Sequence, residues 1–277
     1  MTPDEYCQEK AVSSGSSFYY SFLFLPPARR RAITALYAFC REVDDVVDET
    51  ADAQLAATTL AWWRAEVANL FKGAPAHPVT QALAPALEPY SIQAEQLLEI
   101  IDGMEMDLAQ SRYLDFAGLE LYCYRVAGVV GLLAAGIFGY ENARTLEYAK
   151  SLGIAFQLTN IIRDVGEDAR RNRIYLPMDE LKQYGIPASD ILNARHSDAF
   201  HRLMRHQAAR ANEYYTRALS VLPDEDRRAQ RPGLIMAGIY RSLLAEIERD
   251  DFKVLTQKTA LTPLRKFWIA WKTWVSA

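Results

Sequence analysis

An all-α fold in a single domain is predicted by three observations. Apolar residues recur with the 3.6-residue period of helices, with no convincing period-two alternation. Gly and Pro are sparse, at 13 and 12 of 277 residues, which favours long helices over many turns. Half of the residues are hydrophobic and 24% are charged, enough to bury one large core, so residues 1–277 are read as one domain.

Taken in order, the first long helix starts after Pro26-Pro27, since Pro is tolerated in a first turn, and runs through Asp48. Helical patterns follow at roughly 51–72, 78–88, 93–112, 115–139 and 142–168, broken at Gly73-Ala74-Pro75 and near Pro89. Residues 169–177 read as a polar, Arg-rich loop and Gly185-Ile-Pro187 as a turn. Two long helices at roughly 198–222 and 225–251 and a short C-terminal helix close the chain. No repeat of fixed period is visible.

The net charge of −4 lacks the basic excess of a nucleic-acid binder. Cys7, Cys40 and Cys123 are odd in number and show no Cys-x-x-Cys spacing, so they read as reduced structural thiols. The four histidines, His77, His196, His201 and His206, fit no metal-binding pattern and are assigned to the surface. The N-terminal residues show no secretory signal. The longest apolar run, Val126 to Phe138, falls short of the ~20 residues of a membrane span, so a cytoplasmic protein without a transmembrane anchor is expected. Phe267, Trp268, Trp271 and Trp274 share a helical face beside Arg265, Lys266 and Lys272. That face suits either an interfacial membrane helix or docking onto the protein itself.

Two stripes carry the chemistry. Tyr37, Arg41, Asp44 and Asp48 are spaced four, three and four along one helix, and Gln157, Asn160, Asp164 and Asp168 three, four and four along another, with Arg163 beside them. One such aspartate pair alone reads as a solvated face with intrahelical ion pairs. Two stripes, interrupted by core-type Ala38, Val43, Ile161 and Ile162, read as inward-facing polar groups that need partners. Paired carboxylates four apart suit Mg²⁺, which takes one or two of them and fills its remaining positions with water and substrate phosphate oxygens. A diphosphate ligand is the expectation. The acidic stretch Asp102, Glu105 and Asp107 reads as facing solvent in preference to lying in the outer shell of the site, and the small-residue run 126–139 leaves open either close helix packing or room for an apolar tail.

Those stripes, together with Ser-Gly-Ser-Ser-Phe-Tyr-Tyr at 14–20, Tyr-Cys-Tyr-Arg-Val-Ala-Gly at 122–128 and Arg-Ile-Tyr-Leu-Pro at 173–177, resemble the squalene/phytoene synthase family over nearly the whole chain. Residues 16–49 look most like the bacterial presqualene diphosphate synthases of hopanoid pathways. The resemblance implies an isoprenoid-synthase-type helical bundle around a central apolar cavity. It implies that Asp44, Asp48, Asp164 and Asp168, helped by Asn160, hold more than one Mg²⁺ between two isoprenyl diphosphates. It assigns diphosphate or prenyl contacts to Tyr37, Arg41, Gln157, Arg163 and Tyr240, and substrate contacts to Ser14, Ser16 and Ser17. Val126, Ala127 and Val130 are tail contacts by the same resemblance, Arg173 and Tyr175 belong to a flap-like loop, and Tyr122 is a site residue that could take a proton. Ser14, Gly15, Ser16 and Ser17 are all uncharged, where some family members carry basic residues.

The implied reaction is head-to-head condensation of two farnesyl diphosphates to presqualene diphosphate by a Mg-dependent prenyltransferase, with no NADPH. Phytoene synthase acting on geranylgeranyl diphosphate, or a dehydrosqualene or squalene synthase, is the alternative. Ionisation would leave an allylic cation, for which Tyr19, Tyr37, Phe39, Tyr122, Tyr124, Phe156 and Tyr240 are candidate aromatic neighbours. A diiron oxidase would need Glu-x-x-His pairs that the chain lacks, and the intact aspartates argue against a merely binding protein.

Overall fold

Pro27 opens the helix that carries the first aspartates: α2, Pro27–Glu49, starts with Pro in its first turn and buries Ile33, Leu36, Phe39, Val43 and Val47. The computed structural model describes residues 1–13, 21–22, 25–50 and 52–276. The expected contacts at Ser14, Ser16 and Ser17, and the aromatic candidate Tyr19, lie outside the described residues. Before α2 stands α1, Pro3–Ser13, which the periodicity analysis passes over. Its start is marked by a reciprocal cap in which Glu5 N donates to Thr2 Oγ1 at 3.2 Å and Thr2 N to Glu5 Oε2 at 2.8 Å.

The helices α3 (Ala53–Phe71), α4 (Pro78–Leu83) and α5 (Ala94–Ala109) follow, close to their predicted places. Asp52 caps α3 by accepting from Gln54 N and Leu55 N, and α4 gives way to a 3₁₀ turn at Ala84–Ala86, where Pro85 sits in the first turn. Next come α6 (Phe116–Phe138) and α7 (Arg144–Arg170). Two short helices, α8 (Met178–Gln183) and α9 (Ala188–Leu192), are unpredicted, being too short to show a period. After α10 (Asp198–Val221), the expected 225–251 helix splits into a 3₁₀ turn at Asp224–Asp226 and α11, Arg231–Arg249. Pro232 is the reason, because it fits a first turn and would break an interior one. Finally α12, Pro263–Ser276, runs antiparallel to α11: Arg265 Nη1 pairs with Glu246 at 2.7 Å near one end, and Arg231 lies 4.9 Å from the Trp274 ring at the other. Among the described residues there is no strand, only an isolated bridge between Arg112 and Ile174.

Helix α6 is the axis of this single helical domain. Its 23 residues are long and apolar enough, by length and composition, to cross a membrane, whereas the run 126–138 alone is not. Here it is the core element. One face meets α7 so closely that a Cβ at Gly131 would sit 2.3 Å from Ala149 O, and one at Gly153 would sit 2.2 Å from Ala127 O. Val126, Ala127, Val130 and Ala134 on another face line an apolar cavity. The small-residue run therefore serves both purposes left open by the sequence. A π-helical turn at Tyr124–Gly128 breaks the regular ladder, a distortion often found at functional sites.

All three cysteines are free: Cys7 and Cys123 are buried and Cys40 is half-buried. His196 and His206 are exposed, but His77 and His201 are half-buried, against expectation. His77 caps α4 through its ring and packs against Trp63 at 4.8 Å, so it is held by aromatic contacts as well as by a hydrogen bond.

The contact between α6 and α7 is testable. Gly153→Ala gains up to ~1 kcal/mol of intrinsic helix propensity, yet its methyl group must push two backbones apart. Overpacking of this kind costs about 1–3 kcal/mol, so the expected outcome is a Tm lower by several degrees. An unchanged or raised Tm in a thermal melt would show that the seam yields.

Candidate active site

The two aspartate stripes face the same end of the cavity. Tyr37 and Cys40 of α2, Gln157 and Asn160 of α7, and Tyr240 of α11 line it, with Phe156 packed 4.8 Å from Tyr240. One or two turns beyond them along α2 and α7 stand Asp44, Asp48, Asp164 and Asp168. The opposite end is walled by Phe138, Tyr148, Gln230 and Gly233, and the cavity volume is about 180 Å³. Val126, Ala127 and Val130 line it as expected. Phe39 does not: it is wholly buried against Trp63 in the core.

The chain's own cations pair with the carboxylates. Arg41 Nη1 reaches Asp44 at 2.6 Å and also pairs with Asp45. Arg171 and Arg173 each donate to Asp48 at 3.0 Å. Arg163 Nε donates to Asp164 at 2.8 Å, and Lys258 Nζ stands 3.5 Å from Asp164 and 2.5 Å from Glu167. Glu42 and Asp45 belong elsewhere, pairing with Lys10 of α1 at 3.0 and 2.8 Å. Partly exposed pairs of this sort contribute about 0.2–1 kcal/mol each, so a divalent ion or a diphosphate can displace them.

Asp107 corrects a prediction. It does not face solvent: its Oδ2 accepts from the Tyr122 hydroxyl at 2.9 Å, and its Oδ1 is buried without a partner. Tyr113, Tyr122 and Tyr175 pack around it with ring centroids 5.3–5.7 Å apart. Asp102 and Glu105 do form a surface network, with Arg64 at 2.5 and 2.7 Å. The loop after α7 is pinned over Asp107 by backbone bonds from Ile174 N to Ser111 O and from Met178 N to Tyr113 O, which place Arg173 and Tyr175 at the site. Asp107 feels Asp48, and Asp168 feels Asp107, so it links the two aspartate banks.

The crowding shows in the protonation equilibria. Burial, reinforced by Asp48, pushes Asp44 up to about 6 against the pull of Arg41. Burial also pushes Asp107 up to about 6, opposed by Arg173 and by the Tyr122 hydrogen bond. Asp168 rises to about 7, through burial first and then Asp164, Asp107 and Glu167. Burial raises Tyr122 well above its ordinary range, so it stays a neutral phenol.

These observations fit a cation. Several carboxylates lack sufficient countercharge, and the Oδ1 of Asn160, which sits between the aspartates and the cavity, is buried without a partner. Among the described residues no three His, Cys, Asp or Glu side chains converge to hold an ion by themselves. That suits ions shared between one or two carboxylates and a diphosphate.

Sequence reasoning missed Lys258 and the direct role of Arg171, and for Asp107 it favoured solvent over the outer shell of the site. Lys258 lies in the loop after α11 and reaches α7 across 91 residues of chain, with nothing local to mark it.

Comparison with known proteins places the chain. The squalene/phytoene synthase family pattern matches residues 11–266. The phytoene synthase of Arthrospira platensis is 36% identical over 275 residues, covering 95% of this chain and 89% of that one. The 15-cis-phytoene synthase of Synechocystis is 34% identical over 285 residues, covering 99% and 85%. The chloroplastic phytoene synthase of an Oncidium hybrid is 37% identical over 266 residues, covering 94% of this chain, which spans 64% of the Oncidium protein's length. Among solved structures, a dehydrosqualene synthase in complex with ligand superposes with a TM-score of 0.87 at 26% identity, covering 99% of this chain and 96% of that one. The squalene synthase HpnC from Alicyclobacillus acidocaldarius superposes at 0.80 with 27% identity, covering 90% and 94%.

A pH dependence follows. Between about pH 4 and pH 7 the native carboxyls of Asp44, Asp107 and Asp168 hold protons that the unfolded chain has released, so their contribution lowers stability as pH rises through that window. Asp168→Asn removes one such charge and is expected to raise the Tm of the metal-free protein at pH 7.5 by about 2–4 °C, the equivalent of ~1 kcal/mol. Added Mg²⁺ should stabilise the original chain more than the variant. A variant that melts lower without metal would overturn the account of crowding.

Proposed function

Because the chain belongs to the squalene/phytoene synthase family, we propose that it condenses two isoprenyl diphosphates head to head, with geranylgeranyl diphosphate as substrate and phytoene as product. The observation that carries the reaction class is the pair of aspartate banks bridged by Asp107 at one end of an apolar cavity. The choice of tail rests on the curated relatives, which are named phytoene synthases at 34–37% identity. They favour the geranylgeranyl alternative over the farnesyl reading suggested by residues 16–49. The farnesyl reading keeps support from two solved structures, named dehydrosqualene synthase and squalene synthase.

Asp44, Asp48, Asp164 and Asp168, with Asn160, are the residues that would hold Mg²⁺. When bound, Mg²⁺ supplies Lewis-acid stabilisation of a departing diphosphate. Arg41, Arg163, Arg171, Arg173 and Lys258, which pair with the carboxylates, would serve the diphosphate oxygens as charge-assisted donors. As the allylic carbon–oxygen bond breaks, its electron pair leaves with the diphosphate. The faces of Tyr37, Phe156 and Tyr240 at the cavity mouth can each stabilise the carbon cation by up to ~2 kcal/mol in a desolvated site. The double bond of the second substrate attacks that carbon and loss of a proton closes a three-membered ring; departure of the second diphosphate with its electron pair, opening of that ring and loss of a second proton then give phytoene. Tyr122, kept a neutral phenol, can accept the first proton on its oxygen while passing its own to Asp107 along their 2.9 Å hydrogen bond.

Tail length is read at the closed end. Tyr148 is 1% exposed, its hydroxyl has no partner, and it stands where a Cβ at Gly233 would lie 2.6 Å from that oxygen. Along α7 it is twelve residues from Asn160, about 18 Å of helix. A prenyl chain with its diphosphate at the aspartates would end against this ring.

Purified protein incubated with Mg²⁺ and either geranylgeranyl or farnesyl diphosphate, with and without NADPH, distinguishes the readings by product mass after phosphatase treatment. Phytoene from geranylgeranyl diphosphate is the expected result. Presqualene alcohol from farnesyl diphosphate with no phytoene would return the assignment to the farnesyl reading, and squalene formed only with NADPH would add a reduction. Asp44→Asn and Asp164→Asn should each lower kcat by at least about 10²-fold, since several kcal/mol of transition-state stabilisation are at stake. Tyr148→Ala should admit a longer prenyl diphosphate and leave kcat for the native substrate within about threefold, because the ring is remote from the reacting carbons. Unchanged chain-length preference would rule out the floor.

A further inference from the structure

The C-terminal helix divides its aromatic residues between two faces. Trp274, expected on the same face as the others, turns inward beneath Arg231, and Ala270 is buried. Ile269 and Thr273 lie over Gly238 of α11, where a Cβ would meet Ile269 Cγ2 at 2.9 Å. The opposite face is left open: Leu264, Phe267, Trp268, Trp271 and Val275 are 46–83% exposed, although four of the five are large and all are apolar. Leu264, Trp268, Trp271 and Val275 follow a strict four, three, four spacing, and the Trp268 and Trp271 rings lie 5.2 Å apart.

We infer that this face of α12 docks onto an anionic lipid surface. Charge decides among occupants. The helix carries Arg265, Lys266 and Lys272 and no acidic residue, in a chain whose net charge is −4; Arg265 and Lys272 flank the open face, while Lys266 is half-buried towards Arg163. Basic flanks around a Trp-rich stripe are the composition of an interfacial helix, which lies in the membrane plane. Trp suits that depth because its apolar ring and its N–H face different media. A second copy of the chain is the poorer occupant. A 14-residue helix is about 21 Å long and ~10 Å wide, so its face offers roughly 200 Å², against the ~800 Å² per partner of a stable protein interface.

The position of α12 gives the contact a use. Helix α11 lies between it and the cavity: Pro232, Gly233, Met236 and Tyr240 of α11 line the cavity, while Gly238 and Glu246 of the same helix meet α12. A hydrocarbon product would therefore be released one helix away from bilayer. This inference does not depend on which prenyl diphosphate is used.

The test is flotation of the full chain, without substrate, with vesicles of phosphatidylcholine alone or mixed with phosphatidylglycerol. Binding to the anionic vesicles, weakened by 0.5 M salt (Debye length of about 4 Å) and accompanied by a blue shift of tryptophan emission, is expected. The double variant Trp268→Ser/Trp271→Ser should lose at least about tenfold in partition, given the apolar area removed, while its Tm and its turnover in detergent stay unchanged. Lys272→Glu should weaken only the anionic component. Absence of vesicle binding, equal binding by the double variant, or a dimer in sedimentation that the double variant abolishes would each overturn the inference. Because binding is read without substrate, its failure leaves the proposed reaction standing, and an inactive protein that still floats would fail that reaction alone.

Discussion

Like charges held close together at the mouth of an apolar cavity are the constraint around which this molecule is arranged. Asp44, Asp107 and Asp168 are pushed towards their protonated forms by burial and by one another. Each bank is restrained by arginines or lysine from its own helix or from a loop that returns to it. Such a site is poorly satisfied on its own. Crowded carboxylates of this kind are stabilised by any positive charge brought among them, which is how a binding site can be specific for charge without being rigidly prebuilt.

The loop between α7 and α8 carries much of this restraint. It is tied by backbone bonds to the segment before α6, and it places Arg173 on Asp48 and Tyr175 against Tyr122. Two elements that sequence order keeps some 60 residues apart are thereby made into one wall. The aromatic triad of Tyr113, Tyr122 and Tyr175 shields Asp107 from water, and exclusion of water is what keeps a carbon cation from being quenched.

Much of the helical order was legible because long helices advertise a period, and the aspartate stripes because carboxylates four apart share a face. Val126, Ala127 and Val130, chosen as tail contacts through the family resemblance of their helix, line the cavity. What escaped did so for physical reasons. Asp107 looks like any acid in a polar helix end until the loop carrying Tyr175 closes over it. Lys258 is a lone lysine whose partner is remote in sequence. The inward turn of Trp274 depends on Arg231 of a neighbouring helix rather than on its own spacing. Helices α8 and α9 are shorter than the window over which a period can be seen, and α11 began late because one proline outweighs several good helix formers.

The approach of Gly131 and Gly153 to the facing backbone bears on how such a cavity can diversify. Where main chain touches main chain, at Gly131 and Gly153, no side chain remains to be trimmed, so that seam cannot be hollowed by substitution and resists being filled. Variation in the size of the bound hydrocarbon is left to the surfaces built from replaceable groups: Ile33 and Leu36 on α2, Met236 on α11, and Tyr148 at the floor. The molecule thus has one fixed seam among adjustable surfaces, and descendants of this chain would be expected to record their history of substrate change away from that seam.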